Sequence, residues 1–210
     1  MTTIPEKVTR LRELIQTGDT THGSILRSST DLIAEYYRLV LKWNERLHLT
    51  TITEPEHFLE RHILEVCASI RLIDPQVSSI WDLGSGLGVP GIPLKILRPD
   101  LQIVLVESGR RKALFLETVI AELALGQATV DHRRIEELPP CTEGVLLTGR
   151  AIERMESLFP TILQLGAKAA QILLFSTTGP AGSLPGVTIH PLPGAHDRCI
   201  AELKCSTWNN

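Results

Sequence analysis

Hydrophobic residues recur at helical spacing through the first third of the chain. The stretch from Thr2 to about Ile15 is predicted to be helical, and the polar stretch Gln16–Ser29 contains two glycines that can end it. From Thr30 to about Asn44, apolar side chains recur at steps of three and four residues, which predicts an amphipathic helix. A further helical run begins at Pro55. The pattern therefore predicts helices before any strand.

After Pro75 short apolar runs alternate with helical segments. The predicted strands are Ile80–Leu83, Gln102–Val106, Ala128–His132, Val145–Thr148 and Gln171–Phe175. The predicted helices are one after the first strand, Lys112–Leu125 and Met155–Leu165. This alternation predicts βαβ units, and hence an α/β fold with a mainly parallel sheet covered on both faces. Gly179–Gly194 is rich in proline and glycine, and the candidate strands in the tail are Val187–Ile189 and Cys199–Leu203.

Composition places the chain among globular proteins. Of its 210 residues 43% are hydrophobic and 21% are charged, as is usual for soluble domains. We predict a helical extension over residues 1–74 and a main domain over residues 75–210, packed as one compact unit. The absence of a long apolar stretch predicts a cytoplasmic protein, and a monomer is favoured. The net charge of −3 means that any RNA contact must come from a local basic patch.

The cysteines are scattered along the chain without metal-binding spacing. They are Cys67, Cys141, Cys199 and Cys205. We expect reduced thiols with no metal or disulfide role.

A glycine-rich loop follows the first predicted strand. The run Asp82-Leu83-Gly84-Ser85-Gly86-Leu87-Gly88 opens a helix, so its glycines lie where a nucleotide cofactor can approach the backbone closely. Glu107, at the end of the next strand, can accept hydrogen bonds from both hydroxyls of a ribose. A dinucleotide fingerprint would need glycine where Val89 stands. The loop instead looks like the first motif of S-adenosylmethionine-dependent methyltransferases, in which Asp82 can pair with the methionine ammonium or a nearby water.

The segment after the third strand is a candidate adenine site. Within His132–Glu136, backbone groups and the apolar side chain of Ile135 can clamp the base. The alternative is a solvated charged loop.

Several segments resemble one family, in the right order along the chain. They are Trp43-Asn44, Leu49-Thr50, Arg61-His62, the run from Asp82 to Leu94, Arg98-Pro99-Asp100, Lys112 with Phe115-Leu116, and Gly149-Arg150-Ala151. The chain is similar over roughly Thr30 to Phe175 to the bacterial small-subunit ribosomal RNA guanine-N7 methyltransferases, also called glucose-inhibited division protein B. Pro90-Gly91-Ile92-Pro93 makes this resemblance much more specific than a generic glycine loop.

The resemblance implies a Rossmann-like class I S-adenosylmethionine-dependent methyltransferase fold with an N-terminal helical extension. The implied substrate is N7 of a guanine in 16S ribosomal RNA, free or within the small ribosomal subunit. The cofactor-binding residues predicted with it are Asp82, Gly84, Ser85, Gly86, Gly88, Glu107, Arg134, Ile135 and Arg150. Arg150 matches the arginine of the family's Ser-Arg-Ala motif, and we predict that it acts in catalysis with Arg61 and His62.

Guanine N7 carries a lone pair and no proton, so methyl transfer to it requires positioning and a water-poor site rather than a base. Arg150 is suited to guanine O6 or to a phosphate, although it can also be a surface ion-pair partner. His62, between apolar neighbours, can equally be a core residue. The candidate phosphate contacts are Lys95, Arg98, Arg110, Arg111, Lys112, Arg133, Arg134, Arg150 and Arg154.

This sequence departs from the family pattern in the substrate blocks. His48 replaces an asparagine, Glu65-Val66 replaces Asp-Ser, Thr148-Gly149 stands where a serine usually precedes Arg150, and Phe175-Ser176-Thr177 replaces a stretch with lysine and glycine. The cofactor loop is intact. A methyltransferase for a small molecule or a protein, and a nucleotide-binding module without catalysis, therefore stay open as alternatives. The glycine spacing disfavours an NAD-dependent oxidoreductase.

Overall fold

The computed structural model describes residues 2–18, 23–151 and 155–204. The α-helices of this part of the chain are α1 (Ile4–Thr17), α2 (Gly23–Ser28), α3 (Thr30–Leu47), α4 (Pro55–Phe58), α5 (Glu65–Ile70), α6 (Gly91–Leu97), α7 (Arg110–Glu122), α8 (Met155–Leu165) and α9 (Thr178–Gly182). The strands are β1 (Ser79–Leu83), β2 (Gln102–Val106), β3 (Ala128–Asp131), β4 (Val145–Arg150), β5 (Gln171–Thr177), β6 (Thr188–Pro191) and β7 (Arg198–Lys204). Each predicted strand is confirmed within two residues at either end.

The amino-terminal helices form as the apolar spacing predicts. Thr3 begins α1, because its hydroxyl accepts the Glu6 amide while the Glu6 carboxylate accepts the Thr3 amide. Helix α3 continues three residues beyond the predicted end at Asn44 and stops at His48, whose φ of 48° is left-handed. The short helix α2 lies in the stretch expected to be polar and irregular.

The helical run that begins at Pro55 is not one α-helix. Helix α4 continues into a π-helix over Leu59–Leu64 and then into α5. The Glu65 amide therefore bonds the Glu60 carbonyl, five residues earlier. The Arg61 carbonyl, which would receive that amide in an α-helix, accepts a hydrogen bond from the Arg150 guanidinium at the end of β4. The wide turn thus ties the helical extension to the sheet.

The seven strands form one sheet in the order β3-β2-β1-β4-β5-β7-β6. The first five are parallel, β7 is antiparallel to β5, and β6 is antiparallel to β7. The predicted mainly parallel sheet and both candidate strands of the tail are therefore confirmed. The strand order changes direction between β1 and β4, because β2 and β3 are added on one side of β1 and β4 and β5 on the other. In open α/β sheets, ligands bind at such a point, in the crevice beyond the carboxyl ends of the strands.

Both faces of the sheet are covered. On one face, Leu11, Tyr36 and Phe58 of the amino-terminal helices share a hydrophobic cluster with Ile80 and Leu105 of the sheet. Helix α8 covers the other face. The boundary between residues 74 and 75 stays a prediction. No helix within the described ranges combines the length and the apolar character needed to cross a membrane.

A buried amide joins the segment before β1 to the far half of the sheet. The Gln171 side chain accepts the Asp74 amide at 3.0 Å and donates to the Leu72 carbonyl at 2.7 Å and to the Glu202 carboxylate. Because all these polar groups are paired, the buried connection does not leave an uncompensated donor or acceptor. Cys67 and Cys199 are buried free thiols, and the buried Cys141 thiol donates to the Leu165 carbonyl at 2.9 Å. Cys205 lies outside the described residues.

Two tyrosines of α3 hydrogen-bond to different loops, Tyr36 to the glycine loop and Tyr37 to a loop within the extension. The Tyr36 hydroxyl donates to the Leu87 carbonyl in the glycine loop at 2.7 Å, and the Tyr37 hydroxyl donates to the Thr53 carbonyl at 2.8 Å. Both rings are fully buried.

We expect Tyr36→Phe to lower the free energy of unfolding by about 1 kcal/mol, because the half-buried Leu87 carbonyl loses its partner. Urea denaturation measures this loss. Hydrogen exchange at the amides of Gly86 and Gly88 should accelerate in this variant and not in Tyr37→Phe, the matched control. Equal exchange in the two variants would show that Tyr36 does not hold the glycine loop.

Candidate active site

A cavity of about 300 Å³ opens at the carboxyl ends of β1, β2 and β3. Its walls combine backbone, charged and apolar groups. They are formed by Gly84, Val106, Glu107, Ser108, Lys112, Arg133, Arg134, Ile135, Glu136, Ala151 and Leu158. A cavity of this size with a few convergent polar groups fits a small organic ligand. We call it the first cavity.

Glu107 is held in a fixed orientation at this cavity. One carboxylate oxygen accepts the Gly86 amide at 2.9 Å and the other accepts the Gly109 amide at 2.7 Å. A carboxylate has about four acceptor sites, so two are left for a ligand. The strand end therefore presents an oriented acceptor for a pair of hydroxyls.

The loop glycines have two different physical roles. Gly84 and Gly86 have φ values of +67° and +58°, and a Cβ at Gly84 would meet nothing within 4 Å. Backbone conformation and open access to the loop, rather than packing, require glycine there. At Gly91 a Cβ would lie 2.4 Å from Leu105 Cδ2 and 2.7 Å from Asp82 Oδ2, so the helix packs against the strand through that glycine.

Asp82 is a fully buried carboxyl group beneath the loop. Its Oδ2 accepts the Gly91 amide at 3.1 Å, whereas Oδ1 has no partner among the described residues. Burial raises the pKa of Asp82 to about 7, and the negative charge of Glu107 adds to that rise. An unpaired buried acceptor is costly, so the position suits a bound donor or cation.

A second cavity of about 300 Å³ adjoins the first at Ala151, which lines both. Its other lining residues are Arg61, Glu65, Arg150, Phe175, Ser176, Thr177, Pro180, Leu192 and Arg198. Aromatic and aliphatic side chains thus face three guanidinium groups across this space.

Glu65 is the carboxylate at the centre of those guanidiniums. It is 5% exposed, with Oε1 at 2.6 Å from Arg198 Nε and 3.1 Å from Arg61 Nε, and Oε2 at 3.3 Å from Arg150 Nη1. Burial lowers the pKa of Arg150, and the charge of Glu65 opposes that shift. Arg198 also pairs with the exposed Glu60 at 3.5 Å. Two carboxylates against three guanidiniums leave the second cavity with a cationic wall that suits a phosphate or a carbonyl oxygen.

Comparison with known proteins shows the family of the chain. The model for "rRNA small subunit methyltransferase G" matches residues 29–180. The chain belongs to the rRNA small subunit methyltransferase G family. A protein of that name from Pseudomonas entomophila is 34% identical, with 73% of this chain aligned to 71% of the relative. One from Pseudomonas fluorescens is 33% identical, over 82% of this chain and 80% of the relative.

Solved structures agree on the fold. The Escherichia coli protein YhhF, provisionally described as a methyltransferase, superposes with a TM-score of 0.52 at 18% identity, covering 67% of this chain and 86% of that protein. The Rossmann-like class I methyltransferase fold predicted from the sequence is therefore confirmed.

In this family member the predicted cofactor residues divide into three groups. Gly84, Glu107, Arg134 and Ile135 line the first cavity. The others shape the loop without lining that cavity: the Ser85 hydroxyl donates to the Asp82 carbonyl at 2.8 Å, Gly86 donates to Glu107, and a Cβ at Gly88 would lie 2.6 Å from Ile92. Arg150 lines the second cavity instead. The binding roles of all these residues stay predictions.

The predicted catalytic residues also separate. Arg61 and Arg150 line the second cavity. His62 is buried, with its ring edge-on to Phe58 at a centroid distance of 5.0 Å and its Nε2 at 3.4 Å from Thr50 Oγ1. Burial and the charges of Arg150 and Arg61 lower the pKa of His62 to about 3, so its ring is neutral at physiological pH. Its catalytic role stays a prediction, and its packing is that of a core histidine.

The sequence analysis predicts no role for Arg198 and does not predict that Glu65 pairs with the guanidiniums of the second cavity. Glu65 was noted only as a departure from the family pattern, and Arg198 directly precedes a candidate strand. The two residues are 133 positions apart, so no local spacing marks them as partners.

The predicted basic patch is smaller than the sequence indicates. Lys95 is buried and donates to the carbonyls of Pro99 and Leu101 at 2.9 and 2.7 Å. Arg98 pairs with Asp100, and Arg133 pairs with Asp131. Arg154 lies outside the described residues. Arg110, Arg111, Lys112 and Arg134 are exposed and make no ion pair with any described residue.

Asp82 makes stability depend on pH with a definite sign. Its pKa is raised from 3.8 to about 7 in the folded state, so between these values the folded protein holds a proton that the unfolded chain has released. The contribution is fully present below about pH 4 and is lost as the pH rises through 7.

We expect the free energy of unfolding of the parent, relative to Asp82→Asn, to fall across that window, as measured by urea denaturation at several pH values. Asp100→Asn is the control. Arg98 lowers the pKa of Asp100, so the free energy of unfolding of the parent, relative to this variant, should rise with pH at low pH. A flat difference between the parent and Asp82→Asn from pH 4 to 8 would contradict the assignment.

Proposed function

We propose that this chain transfers a methyl group from S-adenosylmethionine to N7 of a guanine in 16S ribosomal RNA, and that it acts in the cytoplasm. The observation that carries the proposal is the junction of the two cavities at Ala151. A cavity built by a glycine loop and an acidic strand end meets a cavity with a cationic wall. Family membership supports the same activity.

The residues of the first cavity fit S-adenosylmethionine. Glu107 has free acceptor sites for the ribose hydroxyls, Ile135 provides an apolar surface for the adenine, and the open backbone of Gly84 permits close approach. The unpaired Oδ1 of Asp82 can pair with the methionine ammonium, directly or through a water. When bound, S-adenosylmethionine supplies an electrophilic methyl group on a sulfonium.

The residues of the second cavity position the guanine. N7 must stay free to react, so an arginine here can contact O6 or a phosphate but cannot occupy both O6 and N7. Glu65 holds Arg150 and Arg198 at fixed positions, which reduces the entropy lost when they bind substrate. Phe175 and Leu192 help exclude water.

No acid or base is required, because N7 has no proton to remove. His62 is buried, neutral and outside both cavities, which agrees with that requirement. A methyltransferase for a small molecule or a protein is not favoured, since the chain belongs to a family named for ribosomal RNA.

The activity is tested by methyl transfer from S-adenosylmethionine carrying a tritiated methyl group. We expect label in 16S RNA from small subunits or in naked 16S RNA, recovered as N7-methylguanosine after nucleoside digestion. RNA that already carries the modification is the control and should accept no label. Absence of labelled N7-methylguanosine from both substrates would overturn the proposed function.

Arg150→Ala tests the division between the cavities. Because Arg150 lies in the second cavity, we expect S-adenosylmethionine affinity to stay within about threefold, while methyl transfer falls roughly 100-fold through lost positioning. Calorimetry measures the affinity, and the methyl-transfer assay measures the rate.

The matched control is Arg98→Ala, which removes an arginine paired with the exposed Asp100 and should keep both properties. Arg150→Lys keeps the charge beside Glu65 and guards against a folding defect. Methyl transfer at the parent rate by Arg150→Ala would remove Arg150 from the site.

A further inference from the structure

A groove of about 590 Å³ lies between the carboxyl end of α3 and the start of α7. It is lined by Arg46, Leu47, His48, Glu107, Ser108, Gly109, Arg110, Arg111 and Lys112. The packing of Trp43 on Phe115, with ring centroids 5.8 Å apart, joins the two helices beneath it. Both walls of the groove are thus parts of packed helices.

The groove concentrates positive charge on a protein whose net charge is −3. Arg46, Arg110, Arg111 and Lys112 are all exposed, and none pairs with an acidic side chain among the described residues. Glu107 is the carboxylate of the lining. It is buried, each of its oxygens accepts one backbone amide, and its single negative charge leaves the four cations in excess. Neighbouring cations without counter-charges repel one another, so their clustering favours a ligand with several negative charges.

The methyl donor cannot be that ligand. S-adenosylmethionine carries a sulfonium, an ammonium and one carboxylate, so its net charge is positive. The groove does, however, share Glu107, Ser108 and Lys112 with the first cavity. The groove is therefore continuous with the first cavity.

We infer that this groove binds the phosphate backbone of the substrate RNA and leads the target nucleotide towards the junction of the two cavities. The inference rests on the proposed function. A strand of nucleic acid supplies several regularly spaced negative charges, which the four cations on the two walls can neutralise together. Arg46 extends the predicted basic patch to α3, on the other side of the groove from Arg110 and Arg111.

The test compares two doubly substituted proteins that lose the same charge. Arg46→Gln/Arg111→Gln removes one cation from each wall and leaves the lining of both cavities unchanged. Arg71→Gln/Lys168→Gln is the matched control. Its exposed residues lie near Leu72 and Gln171, by the amino-terminal end of β5. Filter binding to full-length 16S RNA transcript is measured from low to high salt, with calorimetry for S-adenosylmethionine and steady-state methyl transfer.

For the groove variant we expect roughly tenfold weaker RNA binding and a salt slope shallower by about 1.5, because two phosphate contacts are lost. KM for RNA should rise while kcat and the affinity for S-adenosylmethionine stay at parent values. The control should behave as the parent. Parent-like RNA affinity and salt slope in the groove variant, or an equal loss in the control, would overturn the inference.

Other outcomes separate this inference from the proposed function. If the parent binds RNA but forms no N7-methylguanosine, the proposed activity fails, while a loss confined to the groove variant still supports the groove. If the groove variant binds naked RNA as the parent does but loses activity on small subunits, the groove contacts a ribosomal protein, and the inference is wrong.

Discussion

A buried carboxylate, Glu65, ties the helical part of the chain to two distant strands. Its guanidinium partners come from the π-helix, from the end of β4 and from the start of β7. Removal of one partner from a buried ion pair typically costs about 3–5 kcal/mol. These ion pairs hold together the elements that line the second cavity. Its wall is positive because the three guanidiniums outnumber their two carboxylate partners, Glu65 and the exposed Glu60.

The two halves of the site are built by different means. The first cavity is shaped mainly by backbone conformation. Gly84 and Gly86 adopt positive φ, and the Gly86 amide orients Glu107. In the second cavity, side chains from remote elements create the environment. The conformation of a glycine loop depends on residues that are close together in the sequence. A cluster of side chains from remote elements can be altered by a substitution at one member. Glu65, one of the departures predicted from the family resemblance, supplies a carboxylate to this cluster.

Apolar patterns predicted the elements well because the helices bury one apolar face against the sheet, while the central strands are short apolar runs buried on both faces. They missed the π-helix, since apolar spacing does not mark the wide turn in which the Arg61 carbonyl bonds the Arg150 guanidinium instead of the Glu65 amide. The positions of lysine and arginine in the sequence also predicted more phosphate-binding residues than the structure leaves exposed and unpaired among the described residues. Lys95 is buried and donates to two backbone carbonyls. Its charge alone does not show whether it is buried or exposed.

The sequence by itself determined the alternation of strands and helices, the glycine loop with its acidic partner, and the family resemblance. Each of these depends on residues close together in the chain, where backbone conformation and spacing are local properties. Only the tertiary structure decided that Arg150 belongs to the second cavity, that Arg198 joins it, and that Arg46 faces Arg111 across a groove. Those placements depend on packing between elements far apart in sequence, and electrostatic interactions act through space rather than along the chain.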